Sequence, residues 1–230
     1  MDNKLEVASQ IWLGIFSEIN LLKGGVVVEV APGYEPKIGN ALRLYGFAGS
    51  IYLIEPDVLA SGHLRDIYKE ILPKATVVAV AKTMQALRLG IDIPAKIDVV
   101  VASHPFDDMV VGSIVSEDNF FTMEKDSGGE ITPEIKKIYD SLTDADYARG
   151  VENTGDAWRR FIEKTNPNFF IASQYPSTTL TAKGLAKRQD SGYSVLSRLK
   201  SLYKYSLLNQ PNNKSLGFKA DPKWWIVVGD

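Results

Sequence analysis

The sequence predicts an α/β fold, a doubly wound and mostly parallel sheet of seven strands with a C-terminal antiparallel hairpin and a helical insertion between the fourth and fifth strands. Three observations lead there. Four short apolar runs, Val26 to Val30, Ile51 to Ile54, Thr76 to Ala81 and Ile97 to Ala102, are rich in valine and isoleucine and do not alternate with polar residues. Such runs suit parallel strands covered on both faces. Between them lie stretches with helical spacing, and strand-helix alternation repeated this often builds an open sheet with helices on both sides. A chain of 230 residues with 45% hydrophobic composition can bury a full core, so residues 1–230 are read as one domain.

The elements follow in order. Leu5, Ile11, Trp12, Ile15, Phe16, Ile19 and Leu22 recur at three- and four-residue steps, predicting an amphipathic helix over 4–22 that ends before Gly24-Gly25. Helical spacing returns over Ile38 to Tyr45, Val58 to Leu72 and Met84 to Leu89. From about Phe106 to Asn166 the rhythm fails. Residues 117–146 hold nine acids against Lys125, Lys136 and Lys137, with Ser127-Gly128-Gly129 in the middle. Thr132-Pro133-Glu134 reads as an N-cap followed by proline at the first helical position, and a further helix is expected over Gly155 to Lys164. A stretch this long is too much for one crossover, so residues 107–166 are read either as a cap over the cleft or as a solvated acidic insertion. A fifth strand follows at Asn168 to Ala172, then a helix from Tyr193 to Leu208. Ser215 to Lys219 and Lys223 to Val228 flank Ala220-Asp221-Pro222 as the terminal hairpin.

Composition excludes several chemistries. There is no cysteine, so disulfides, thiolate metal sites and a cysteine nucleophile are ruled out. Only His63 and His104 offer an imidazole, and the sequence predicts no metal site. A net charge of −2 argues against a surface built as a whole to hold nucleic acid or anionic lipid. Lys183, Lys187, Arg188, Arg198, Lys200 and Lys204 against Asp190 nevertheless make one basic stretch, which leaves a nucleic-acid substrate open, although no recognisable binding module accompanies it. The N-terminal apolar pattern is broken by Ser17-Glu18 and fits neither a leader nor a membrane span, so a cytoplasmic protein is expected. Oligomeric state is not legible.

In an open α/β sheet, ligands lie beyond the carboxyl ends of the strands, near the point where strand order reverses. Glu29, Gly33, Glu55, Lys82 and Ser103 fall at or just after such ends. A glycine there lets the backbone approach a ligand, and an acid closing the second strand can accept hydrogen bonds from both hydroxyls of a ribose. The turn Ala31-Pro32-Gly33-Tyr34-Glu35-Pro36 has a single glycine and an acid where a diphosphate would lie. That disfavours a dinucleotide, and Glu29 suits a cationic ligand instead.

On these residues the sequence resembles the class I S-adenosylmethionine-dependent methyltransferases. The resemblance spans most of the chain apart from residues 107–166. The family's acid and G-x-G-x-G motif match Glu29, Ala31, Gly33 and Glu35, of which the middle glycine is kept, and its ribose acid matches Glu55 in Glu55-Pro56-Asp57. The resemblance implies S-adenosylmethionine as cofactor, held by Glu29, Ala31, Gly33, Tyr34, Glu55, Pro56, Lys82, Thr83 and Ser103. Lys82 and Thr83 stand where the family has an adenine-binding acid and its neighbour. After the fourth strand, Ser103-His104-Pro105-Phe106 is similar to the motif of members that methylate amino groups. It implies that Phe106, with Gln174 and Tyr175 after the fifth strand, meets a small-molecule acceptor. His104 is the candidate base, since imidazole titrates near neutral pH, with Asp107 and Asp108 as the next catalytic candidates. N- and O-methyl transfer both stay open. So do a non-catalytic relative that only binds the cofactor and a nicotinamide-dependent oxidoreductase.

Overall fold

Six five-residue strands form one sheet in the computed structural model, which describes residues 3–115, 123, 130–204 and 221–229. They are β1 (Val26–Val30), β2 (Ser50–Ile54), β3 (Thr76–Val80), β4 (Val99–Ser103), β5 (Phe169–Ser173) and β6 (Trp225–Gly229). Their order is β3-β2-β1-β4-β5-β6, with the first five parallel and β6 antiparallel to β5. Strand order therefore reverses between β1 and β4, and a cleft is expected above that pair. Seven strands were expected from the sequence. The described residues hold six, and Ser215 to Lys219, the other arm of the expected hairpin, lies outside them.

Side chains on β1, β4 and β5 alternate between two cores, as a strand's period of two requires. Val27, Val99, Val101 and Ile171 face one side, where α1 (Asn3–Glu18), α2 (Lys37–Tyr45) and α3 (Val58–Ile71) cover the sheet with Trp12, Phe16, Leu42 and Tyr68. Val28, Val30, Val100, Ala102 and Phe170 face the other. There α4 (Phe106–Ile114), α5 (Pro133–Ser141), α6 (Asp144–Thr165) and α8 (Ala186–Leu202) contribute Phe106, Tyr139, Trp158 and Leu199. The short α7 (Thr178–Ala182) leads into α8. No helix among the described residues is long and apolar enough to cross a membrane.

Within the segment 107–166 the described helices pack into the core. The segment was expected to cap the cleft or to form a solvated insertion, yet α4, α5 and α6 bury Phe106, Val110, Ile135, Trp158 and Phe161 in the same core as β4 and β5, and α4 packs on both α6 and α8. These helices are the β4–β5 crossover layer. The rhythm seemed to fail because α6, expected only over Gly155 to Lys164, runs for 22 residues on a polar sequence. It starts at a capping box between Thr143 and Asp146. The acid-rich residues 116–122 and 124–129 lie outside the described residues. Elsewhere the first helix stops at Glu18, where Asn20 turns left-handed (φ 50°), and Met84–Ala86 forms a single 3₁₀ turn.

Candidate functional site

Three left-handed residues mark the carboxyl ends of β1 and β4: Ala31 (φ 50°), Gly33 (φ 67°) and His104 (φ 63°). For alanine and histidine this conformation costs about 1–2 kcal/mol, so it persists only where the surroundings impose it. Ala31 continues the ladder by donating its N–H to Ile54 O at 2.9 Å, which swings the following turn out over the strand ends. A Cβ on Gly33 would meet nothing within 4 Å, so this stretch of backbone faces open space.

Glu55 lies beneath that turn. Its carboxylate accepts the Asp57 N–H at 3.2 Å and is also hydrogen-bonded by the Gly33 backbone. Burial is the larger influence and pushes it up to about 7. A carboxylate has roughly four acceptor sites, so two backbone donors leave room for a ligand's hydroxyls. Asp57 caps α3 through Leu59 and Ala60 and accepts the Tyr34 hydroxyl at 3.1 Å. Tyr34 thus borders the same turn, and Pro56 links the two acids. Glu35 is exposed and pairs with Lys37 at 3.1 Å.

Glu29 is placed differently from its sequence reading. It points into the α2–α3 side of the sheet, is 1% exposed, and accepts the Tyr68 hydroxyl at 2.7 Å. Tyr68 in turn accepts the Gly39 N–H at 3.1 Å. Burial pushes Glu29 up to about 8, against the Tyr68 hydrogen bond and the Lys37 charge. At neutral pH it is a neutral acid tied to a phenol, so it is not the anionic partner for a cationic ligand that the sequence suggested. The arrangement depends on Gly39, where a Cβ would sit 2.8 Å from the Tyr68 ring. Gly39→Ala should therefore cost about 1–3 kcal/mol through overpacking. Equilibrium denaturation measures the loss, and Tyr68→Leu in the same background should recover part of it.

His104, Asp107, Asp108 and Gln174 converge with a residue that sequence reasoning missed. Gln174 is fully buried; its Oε1 accepts the Phe106 N–H at 3.0 Å and its Nε2 donates to Asp107 Oδ1 at 2.8 Å. The His104 ring puts Nε2 2.6 Å from the Tyr175 carbonyl oxygen and Nδ1 3.2 Å from Asp107 Oδ1. Its ring leans on the Tyr175 ring at 4.7 Å. Arg188 of α8 donates from Nε to Asp107 Oδ2 at 3.3 Å and also bonds Asp108 and the Tyr139 hydroxyl. Burial opposes charge on both His104 and Asp107, but their mutual hydrogen bond and attraction outweigh it. His104 is held above its usual value and Asp107 is drawn down to about 2, with Arg188 and Gln174 adding to the latter.

This geometry bears on two expectations. A carbonyl and a carboxylate face the two His104 ring nitrogens, so both nitrogens are engaged within the protein. Phe106 is fully buried, its ring edge to face with Trp158 at 5.7 Å in the core. The remaining candidates are scattered. Ser103 is buried and accepts Trp12 Nε1 at 3.4 Å beneath α1. Lys82 is tied to Asp92 at 2.7 Å, and Thr83 is exposed at the start of the 3₁₀ turn. Tyr175 is buried against His104. Three of the six cations in the basic stretch pair with acids: Lys187 with Asp144, Arg188 with Asp107 and Asp108, and Arg198 with Asp156; Lys200 donates to the Lys223 carbonyl. Arg188 left one signal in the sequence, since it shares a helical face with Ser191, Val195 and Leu199. A cation on a buried stripe implies a buried partner.

No protein-family model matches this chain, and no curated protein does so at a significant level. Solved structures do show weak similarity. The chain is similar to a glycopeptide N-methyltransferase, MtfA, complexed with S-adenosyl-L-homocysteine, at 19% identity and a TM-score of 0.38, covering 74% of this chain and 53% of that one. It is also similar to quinate dehydrogenase from Corynebacterium glutamicum in complex with NAD, at 18% identity and a TM-score of 0.34, covering 71% and 57%. A third is YjhP from E. coli, at 10% identity and a TM-score of 0.34, covering 96% and 92%. The chain thus spans little more than half the length of the first two. A methyltransferase and a dehydrogenase stand side by side at comparable scores, and neither chemistry carries over from likenesses this weak.

Proposed function

We propose that the protein binds S-adenosylmethionine and transfers its methyl group to the nitrogen or oxygen of a small-molecule acceptor. The observation that carries this reading is the pairing of the Gly33 turn with Glu55 at adjacent strand ends, an open backbone surface beside a carboxylate with acceptor sites to spare. The fit to the cofactor is good at the ribose. Glu55 would hold the diol, Gly33 would let the backbone approach, and Tyr34 and Pro56 would border the site. It is poorer at the amino-acid end, where Glu29 is neutral and bound to Tyr68. Two features support this cofactor over a nicotinamide. The turn has one glycine where a diphosphate site wants three, and the last strand runs antiparallel. The bound cofactor supplies an electrophilic methyl group; the chain's own work is then positioning and exclusion of water.

The test is calorimetric. At pH 8.5, above the Glu55 titration near 7, wild-type protein should bind S-adenosylhomocysteine and not NADH, and Glu55→Ala should weaken that binding by roughly 2–3 kcal/mol, as for lost hydrogen bonds to a charged group. NADH binding in its place would turn the reading to an oxidoreductase.

A second reading is favoured by the closed network at β4 and β5. His104, Asp107 and Gln174 satisfy one another and Arg188, which leaves no free base among them. A relative of the fold that binds the cofactor without turning it over would look like this. Binding of S-adenosylhomocysteine with no methyl transfer to amine or hydroxyl acceptors would establish it.

A further inference from the structure

A groove of about 360 Å³ runs along α6 beside the 3₁₀ turn Met84–Ala86, and none of the strand-end residues described above lines it. We propose that it is a second binding site, for a planar aromatic ring bearing one anionic group. Its floor is apolar and well packed: Met84 and Phe161 are each 4% exposed and Ala157 is 9% exposed. A flat ring would cover these side chains and gain the hydrophobic and edge contacts that Phe161 offers. The volume is at the low end of small-molecule sites, which span roughly 300–1,000 Å³, and suits a one- or two-ring compound.

The anion follows from the cations above that floor. Arg160 and Lys164 both line the groove, one helical turn apart on the same face of α6. Among the described residues Arg160 makes no hydrogen bond or ion pair, whereas the other arginines of α6 and α8, Arg149, Arg159, Arg188 and Arg198, each hold a carboxylate. Lys164 Nζ donates one hydrogen bond to the Leu87 carbonyl at 2.8 Å, which fixes it in place and leaves two donors of its three. The one acid in the groove, Asp156, feels the Arg160 charge but hydrogen-bonds neither cation. It is occupied by Arg198 at 3.0 Å, with Arg159 at 3.9 Å, and the Arg198 hydrogen bond holds it below its usual range. Gln85 and Asn153 add neutral amides at the rim. A planar guanidinium over an apolar floor matches a planar carboxylate joined to a ring, which it can bind in a bidentate manner.

The experiment uses 1-naphthoate as probe, with the neutral 1-naphthalenemethanol and inorganic phosphate as comparisons, read by amide chemical-shift mapping of the whole chain. Saturable naphthoate shifts are expected over residues 84–87 and 153–164, with Arg160→Glu weakening the affinity by roughly tenfold or more. Arg160 is exposed, so that variant should melt with the wild type. Three results would overturn the site: no shifts in these segments at millimolar probe, equal binding of the neutral alcohol, or equal binding of phosphate alone. Glu55→Ala separates this site from the proposed cofactor site, since it should weaken S-adenosylhomocysteine binding by roughly 30- to 150-fold and leave naphthoate binding intact.

Discussion

Arg188→Met should destabilise the protein by about 3–5 kcal/mol, the usual cost of removing one partner from a buried ion pair. Arg188 is 8% exposed in its side chain and Asp107 3%, and their contact joins α8 to the start of α4 across 81 residues of sequence. Methionine fills the volume but leaves Asp107 charged in a dry site. The Asp108 contact adds little to this figure, because that side chain is half exposed. Urea denaturation of the single variant and of Arg188→Met with Asp107→Asn apportions the effect. The double variant should recover part of the loss, since it removes the stranded charge. A loss below about 1 kcal/mol in the single variant would mean that His104 and Gln174 satisfy Asp107 by themselves.

Glu29 should make stability fall as pH rises. Its carboxyl titrates near 4.5 when solvated and near 8 in the fold, because burial disfavours the anion. The native state therefore holds a proton that the unfolded chain has released. The stabilisation is fully present below about pH 4.5 and is lost as pH climbs through 8, by a few kcal/mol in all. Glu55, raised to about 7, and His104, also raised, act in the same direction, so the Glu29 share must be isolated. Glu29→Gln keeps an acceptor for the Tyr68 hydroxyl and cannot ionise. The variant should gain stability relative to wild type between pH 5 and pH 8, measured by denaturant melts at each pH. Parallel pH profiles for the two proteins would show that Glu29 is ionised in the folded state.

Much of the architecture was legible because it rests on local pattern. Continuous valine-rich runs such as Val26 to Val30 and Val99 to Val101 have one stable use, as strands buried on both faces, and they lie where they were expected. A final strand was expected over Lys223 to Val228 after a proline turn and lies at Trp225–Gly229; its antiparallel sense was implied by the expected hairpin and the resemblance, and its observed partner is β5. Long polar helices were not. The apolar face of α6 is interrupted by Gly150 and Thr154, and Gly150 is there because a Cβ would collide with Val110 and Ile114 on α4. That reason exists only once the two helices are packed.

The site divides along the same line. Gly33 and Glu55 were legible because a strand end fixes what comes after it: the turn and the acid lie on adjacent parallel strands whose register brings Val30 beside Ile54. The placements of Glu29, His104 and Phe106 were not legible, because a strand-end residue can point up to the cleft or down into the core, and one-dimensional spacing does not say which. Tyr68 and Gly39 claim Glu29 for the core. Asp107, itself held by Arg188, and the Tyr175 carbonyl engage the His104 ring, and Trp158 takes Phe106. The sequence by itself determined the strands, their two-sided burial and the Gly33–Glu55 pair, since these follow from hydrophobic period and backbone freedom within short segments. Only the tertiary structure decided which acids stay charged, because charge depends on burial and on partners brought from 39 to 81 residues away.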